Sequence, residues 1–183
     1  MNIRPRIRAA SLIALGAFAL ALVPVATASA HTSDVNQLRA ATAQFQHPAA
    51  AEKAQYGKFT DIHGLTCIAD VGAHAAMGVH YVNGTLVGDP AEHLTTPEAL
   101  VYAPGSDGRL HLAAVEYIVV QAAWKAAGHT SPPRLFGHDF MAVSSPNRYG
   151  LPDFYALHAW VWKDNPLGTF SPWNPNVHCP AAT

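Results

Sequence analysis

The chain has 183 residues, half of them hydrophobic, with 13% charged and a formal net charge of −1. The charged share is about half that of an average soluble domain, so Ala, Thr, Ser, Pro and neutral His must cover much of the surface. A nucleic-acid binder, which needs a basic footprint, is not expected.

The first 30 residues read as a secretory signal peptide. "MNIRPRIR" is a basic start, "AASLIALGAFALALVPVA" an apolar run broken by Pro24, and Ala28–Ser29–Ala30 a small-residue cleavage motif. An N-terminal membrane anchor is the alternative, against which Pro24 and the cleavage motif argue. Removing residues 1–30 takes Arg4, Arg6 and Arg8 away. Eight basic residues (11 − 3) then face twelve acidic ones, a net charge of −4. The mature chain would be a single secreted, extracellular domain, not embedded in a membrane. It would have a helical segment at 31–66 and a β-rich part at 67–183. All eleven histidines fall after residue 30, so acid would make the protein markedly more positive.

In chain order, Ser33 or Asp34 is a candidate N-cap for a helix carrying Val35, Leu38, Thr42 and Phe45 at helical spacing. Pro48 interrupts where a second short helix, Ala49 to Tyr56, can begin. After Cys67 the pattern changes to strands. "AMGVHYV" ends at Asn83-Gly84, a tight-turn signal. "EALVY" and "RLHLAAVEYIVV" flank "APGSDG" and read as a hairpin. "AAWKAAGHTSPP" is ambiguous between a short helix and a loop, "RLFGHDFM" is a short strand candidate, and "DFYALHAWVW" is a long one. The tail "KDNPLGTFSPWNPNVHCPAAT" has too many prolines for a central strand. Its Phe170 and Trp173 suggest that it packs down as a lid. Several strands are apolar on both faces, which suits a mainly β (α+β) fold. The expected form is a small β-barrel or sandwich with a helical N-terminal extension and a proline-rich C-terminal lid.

Cys67 and Cys179 are the only cysteines. In an exported chain an even count invites one disulfide, with two free thiols or metal ligation as the alternative.

The chemistry lies in three apolar rows. Strand side chains alternate between faces, so His74, Ala76, Gly78, His80 and Val82 share one face. Leu110, Leu112, Ala114, Glu116, Ile118 and Val120 share another, with His111 opposite. Phe154, Ala156, His158, Trp160 and Trp162 share a third. Each row holds one ionisable group that is costly to bury alone. If the rows face one interior, His80, Glu116 and His158 converge as ligands for a divalent metal: zinc, iron, manganese or copper. His74 and His138 are candidates for a fourth ligand. Without a metal, the trio would be a hydrogen-bonded network in a non-enzymatic secreted or envelope protein. Trp160, Trp162, Phe170 and Trp173 would there form a core or ligand groove, and the partner would be a small molecule or none. Serine-hydrolase, nucleotide-binding and HExxH motifs are absent from the sequence. No second acid is expected in a comparable apolar row, so a two-carboxylate glycosidase has little support. His31, once it became the N-terminus, would offer its amine and ring to copper as in lytic polysaccharide monooxygenases, although the following "TSDVNQLRA" is unlike their start.

"RAATAQFQHPAAAEKAQYGKF", "MGVHYVN", "VEYIVV", "LFGHDF" and "LHAWVWKDNPLGTFSPWNPNVHC" together resemble a family of uncharacterised secreted bacterial proteins. Its members carry M-G-V-H-Y, V-E-Y and H-x-W-x-W-x-x-N-P-x-G-x-F motifs. The resemblance implies export, pairing of Cys67 with Cys179 and one coherent domain; it implies no reaction. The ligand types resemble those of cupins, but the cupin H-x-H spacing is missing.

Overall fold

The computed structural model describes residues 26–180 except Val71 and Ala73, with side chains from residue 31 onward. Most of the expected signal peptide therefore lies outside the described residues. Helix α1 (Ala26–Thr42) leads through a 3-10 turn (Ala43–Phe45) to α2 (Pro48–Lys53), β1 (Gly57–Lys58), β2 (Cys67–Asp70) and β3 (Ala75–Val82). Then come α3 (Gly84–Val87), β4 (Ala99–Pro104), β5 (Leu110–Val120), α4 (Gln121–Ala126), β6 (Arg134–Leu135), β7 (His138–Asp139), β8 (Met141–Val143) and β9 (Phe154–Ala159).

One antiparallel sheet dominates. Its order is β1-β3-β4-β5-β9-β8, and β2 shares with β1 the outer side of β3. Strands β6 and β7 form a separate small hairpin. The expected barrel does not form, because the sheet stays open, with β1 and β2 at one margin and β8 at the other. The strands are apolar on both faces for a different reason. On one face Val79, Tyr81, Tyr102, Val115 and Tyr117 pack with Leu38 of α1, Trp124 of α4 and Phe136 and Phe140 of the small-hairpin region. On the other, Val101, Ala114 and Trp160 pack with Val177 of the tail, and Ala99, Ile118 and Phe154 pack with Tyr149 and Leu151 of the loop before β9. A central sheet covered on both sides has the same hydrophobic signature as a barrel wall.

Helix α1 runs through Ser33 and Asp34, so neither residue caps it. Asn83-Gly84 does not close a two-residue hairpin. Asn83 caps α3, its side chain accepting a hydrogen bond from the Thr85 N–H, and a long connection then leads to β4. The β4–β5 hairpin forms as expected, with Gly105 and Gly108 in its turn. "QAAWKA" resolves as helix α4.

Strict alternation fails at two bulges. The β4–β5 register shifts between Val101, opposite Ala114, and Tyr102, opposite Leu112. One extra β5 residue there moves Leu110 and Leu112 into the cluster of Val115 and Tyr117, away from the Glu116 face. The β2–β3 register shifts between Ile68, opposite Gly78, and Ala69, opposite Ala76. The extra residue is Met77, which turns toward Glu116 and His158. Gly78 makes this bulge possible. Its φ is +102°, and a Cβ there would lie 2.5 Å from the Tyr102 carbonyl oxygen. The third row also ends early, because β9 stops at Ala159. Trp160 packs beside Ala114, whereas Trp162 joins the helix-covered side and donates to Thr42 Oγ1.

Cys67 and Cys179 form a disulfide that encloses a separation of 112 residues and fastens the tail to β2. Asn174 adds a bridge with Ala76, and its side chain donates to the Asp164 carbonyl.

Two outcomes test this architecture. In the loop-entropy model, replacing both cysteines with alanine should cost about 4–5 kcal/mol, read as a lower urea midpoint that reductant no longer changes. Gly78→Ala should cost about 2–3 kcal/mol through strain and the backbone clash. A Gly78→Ala protein melting within a degree of wild type would contradict the bulge geometry.

Candidate metal centre

Register alone places Glu116 beside His158, since the two are direct cross-strand partners on β5 and β9. On its other side Glu116 pairs with Ala99 of β4, and His80 of β3 pairs with Val101. His80 is therefore two strands from Glu116. The small Ala99 side chain lets the carboxylate lie across β4 and reach it.

The result is a carboxylate held between two imidazoles. Glu116 Oε2 lies 3.3 Å from His80 Nε2, and Oε1 lies 3.3 Å from His158 Nδ1. The rings stand nearly perpendicular, with centroids 5.7 Å apart. All three residues are buried, with exposures of 3%, 8% and 3% for His80, Glu116 and His158. One ligand atom from each lies within 4.8 Å of the others, and no other His, Cys, Asp or Glu group among the described residues does this. Two atoms bound to one tetrahedral zinc at about 2.0–2.1 Å sit ~3.3 Å apart; the two 3.3 Å contacts here run to different oxygens of Glu116, and a set of one ligand atom per residue fits within 4.8 Å.

Hydrogen bonding is incomplete. Both ring nitrogens of His80 and Nε2 of His158 are buried without a hydrogen-bond partner among the described residues. The His80 ring is near the carboxylate but is not aimed for a good hydrogen bond. Buried polar atoms in native proteins seldom stay unpaired. Burial raises the Glu116 pKa, but the His158 and His80 imidazoles more than offset that and hold it below the usual carboxylate range. Burial pushes His158 down to about 4, with Glu116 opposing and His80 adding to the shift. At neutral pH His158 is then an uncharged imidazole, the form that binds metals.

Two cavities flank the trio. One of ≈ 170 Å³ touches Glu116 and His158 and is bounded by Met77, His138, Asp139 and Phe170. The other, of ≈ 280 Å³, touches His80 and Glu116 and is otherwise largely apolar. Tyr149 borders both. Its hydroxyl donates to Met77 Sδ at 3.4 Å, a weak acceptor. Tyr149 is held by its neighbour. Arg148 donates through Nε and Nη2 to Asp61 Oδ2 at 3.0 and 2.6 Å, and through Nη1 to the Ala69 carbonyl. Asp61 Oδ1 in turn accepts from the backbone N–H groups of His63 and Leu65.

The other predicted ligands lie elsewhere. His74 is exposed in the turn before β3, beside a separate depression that includes His178. His138 is exposed at the rim of the smaller cavity, with its ring 4.3 Å from Phe170. His31 lies within α1, packed on Gly137. Of the tryptophans of the proposed groove, Trp160 and Trp162 serve the core, and Trp160 donates its indole N–H to the Ser171 carbonyl and stacks near His158.

Sequence reasoning missed a second buried acid. Glu98 is 1% exposed, and its Oε2 accepts from the Ile118 N–H. Burial, with Asp89 and Glu116 adding, pushes its pKa up to about 8. Its place after Pro97, at the entry to a strand, resembles an ordinary exposed strand end. Tyr149 and the Asp61–Arg148 pair also carried no local signal, because they depend on contacts between distant loops.

Two expectations follow. An unfolded histidine titrates near 6.5, so between there and about 4 the unfolded chain binds a proton that folded His158 refuses. With chelator present, stability should therefore fall as pH drops through that window, by ~3 kcal/mol in total. Urea unfolding at stepped pH reads this, and His158→Asn should flatten the slope. Arg148→Met should cost about 3 kcal/mol by leaving the buried Asp61 carboxylate unpaired, read as a lower midpoint that Asp61→Asn in the same chain partly restores.

No family model, curated protein or solved structure matches the chain.

Proposed function

We propose that this chain is an exported metalloprotein in which His80, Glu116 and His158 hold one divalent metal. The observation that carries the reading is the buried trio itself: one ligand atom from each of His80, Glu116 and His158 lies within 4.8 Å of the others, and His80 Nε2 faces the carboxylate without a hydrogen bond. A cation would partner one nitrogen of each ring and offset the cost of the buried negative charge. Two imidazoles and a carboxylate suit zinc, iron(II), manganese or copper. Three protein ligands leave further coordination positions open, and the two cavities lie where a water and a second molecule can reach them. A bound metal would there lower the pKa of a coordinated water or polarise a bound oxygen, which are the elements of catalysis. Export is supported by the basic and apolar leader and by the disulfide. Among the described residues, no helix is long and apolar enough to cross a membrane.

A second reading is favoured by the two 3.3 Å contacts. In it Glu116 bridges the imidazoles electrostatically and the trio is structural. It leaves His80 Nε2 beside the carboxylate without a well-aimed hydrogen bond.

Metal analysis and unfolding separate the two readings. Purified protein should retain or take up close to one metal per chain. At free metal 100 times Kd, the bound ion adds about 2.7 kcal/mol of stability, which a strong chelator removes. Glu116→Gln keeps the shape but removes the charge. It should bind metal at least tenfold more weakly and melt independently of chelator. A wild type that takes up no zinc, copper, iron or manganese, and whose melting ignores chelator, would make the trio a structural network.

A further inference from the structure

The larger cavity restricts what can share the metal. Its walls are Phe59, Val82, Val87, Ile118, Leu151 and Phe154. The polar side chains among its lining are His80, Glu116 and Tyr149, and no lysine or arginine borders it. A dry cavity of about 150 Å³ is enough for benzene, so ≈ 280 Å³ holds a ring or branched alkyl group with one small substituent. Charge narrows the class further. Two neutral imidazoles, one carboxylate and a divalent cation sum to +1. One anionic ligand brings the buried assembly to neutrality, whereas a neutral or cationic ligand leaves it charged in an apolar setting.

We infer that the cavity on the His80 side binds a small apolar monocarboxylate, with a carboxylate oxygen on the metal and the hydrocarbon body against Phe59, Ile118 and Phe154. This rests on the metal reading. Tyr149 is the positioning residue. Its hydroxyl donates to the Met77 thioether on the side of the smaller cavity, so it would turn about the shared wall to exchange that weak acceptor for a carboxylate oxygen. The smaller cavity suits water instead, because the polar side chains of His138 and Asp139 stand on its rim.

Calorimetric titration of the zinc-loaded protein with benzoate tests the inference. Five further arms accompany it: metal-stripped protein, benzamide as the neutral isostere, acetate as the carboxylate without a body, Val87→Phe and Tyr149→Phe. Val87 belongs to α3 and is only partly buried, so phenylalanine can enter the cavity from its wall without touching a ligand. Benzoate should bind the zinc-loaded protein at least tenfold more tightly than the stripped protein. Benzamide and acetate should each bind at least tenfold more weakly than benzoate. Val87→Phe should weaken benzoate at least tenfold with zinc stoichiometry unchanged, which also reports that the variant is folded. Tyr149→Phe should weaken benzoate several-fold and leave zinc affinity alone. Normal zinc uptake without benzoate binding, or with acetate binding as well as benzoate, overturns the inference and leaves the metal reading standing. Failure to bind zinc overturns both.

Discussion

A carboxylate buried in the middle strand of an apolar sheet is the constraint to which the surrounding structure answers. Strand β5 has β4 on one side and β9 on the other, so Glu116 has no nearby edge through which to reach water. Its charge must be met locally, and each neighbour is fitted to that need. His158 stands directly across the strand pair. Ala99 is small enough to be overlain, which lets His80 approach from two strands away. Past the sheet, Tyr149 closes the same volume from the loop before β9.

That closure depends on parts of the chain far apart in sequence. The Arg148 guanidinium joins the loop before β9 to the Asp61 turn and to the end of β2. The disulfide and the Asn174 bridge press the tail onto β2 and β3. The hinge-like bulge at Gly78 rotates Met77 into the place where its sulfur meets the Tyr149 hydroxyl. The site is thus held by a few long-range polar fastenings laid over a short-range β register. Such an arrangement fixes a constellation more firmly than loops alone could.

The trio was legible in the sequence because alternation is reliable over short windows. His80, Glu116 and His158 each needed only two or three flanking residues to be placed on an apolar face. The same rule failed over longer spans. One inserted residue at a bulge reverses the parity beyond it, which moved Leu110, Leu112 and Met77 to unexpected faces. Apolar strands on both faces fit a barrel and a covered sheet equally well, and only the pairing order separates them. Asn83-Gly84 serves a hairpin turn and a helix cap through the same side-chain chemistry, so the dipeptide could not choose between them. Glu98 escaped notice for a different reason. Its burial comes from where its strand enters the sheet, which no neighbouring residue encodes.

The margins of the sheet bear on a separate hazard. Exposed strand edges offer unpaired N–H and C=O groups on which another chain can template itself. Proteins often defend such edges with lysine, which the edge strands here carry only at Lys58 of β1. Here the outermost strands are instead the short ones: β1 has two residues, β2 four and β8 three. The long apolar strands β3, β4, β5 and β9 all lie inside them. Resistance to fibril-like growth is thereby written into strand length, and an edit that lengthened β8 along β9 would erode it even while adding native hydrogen bonds.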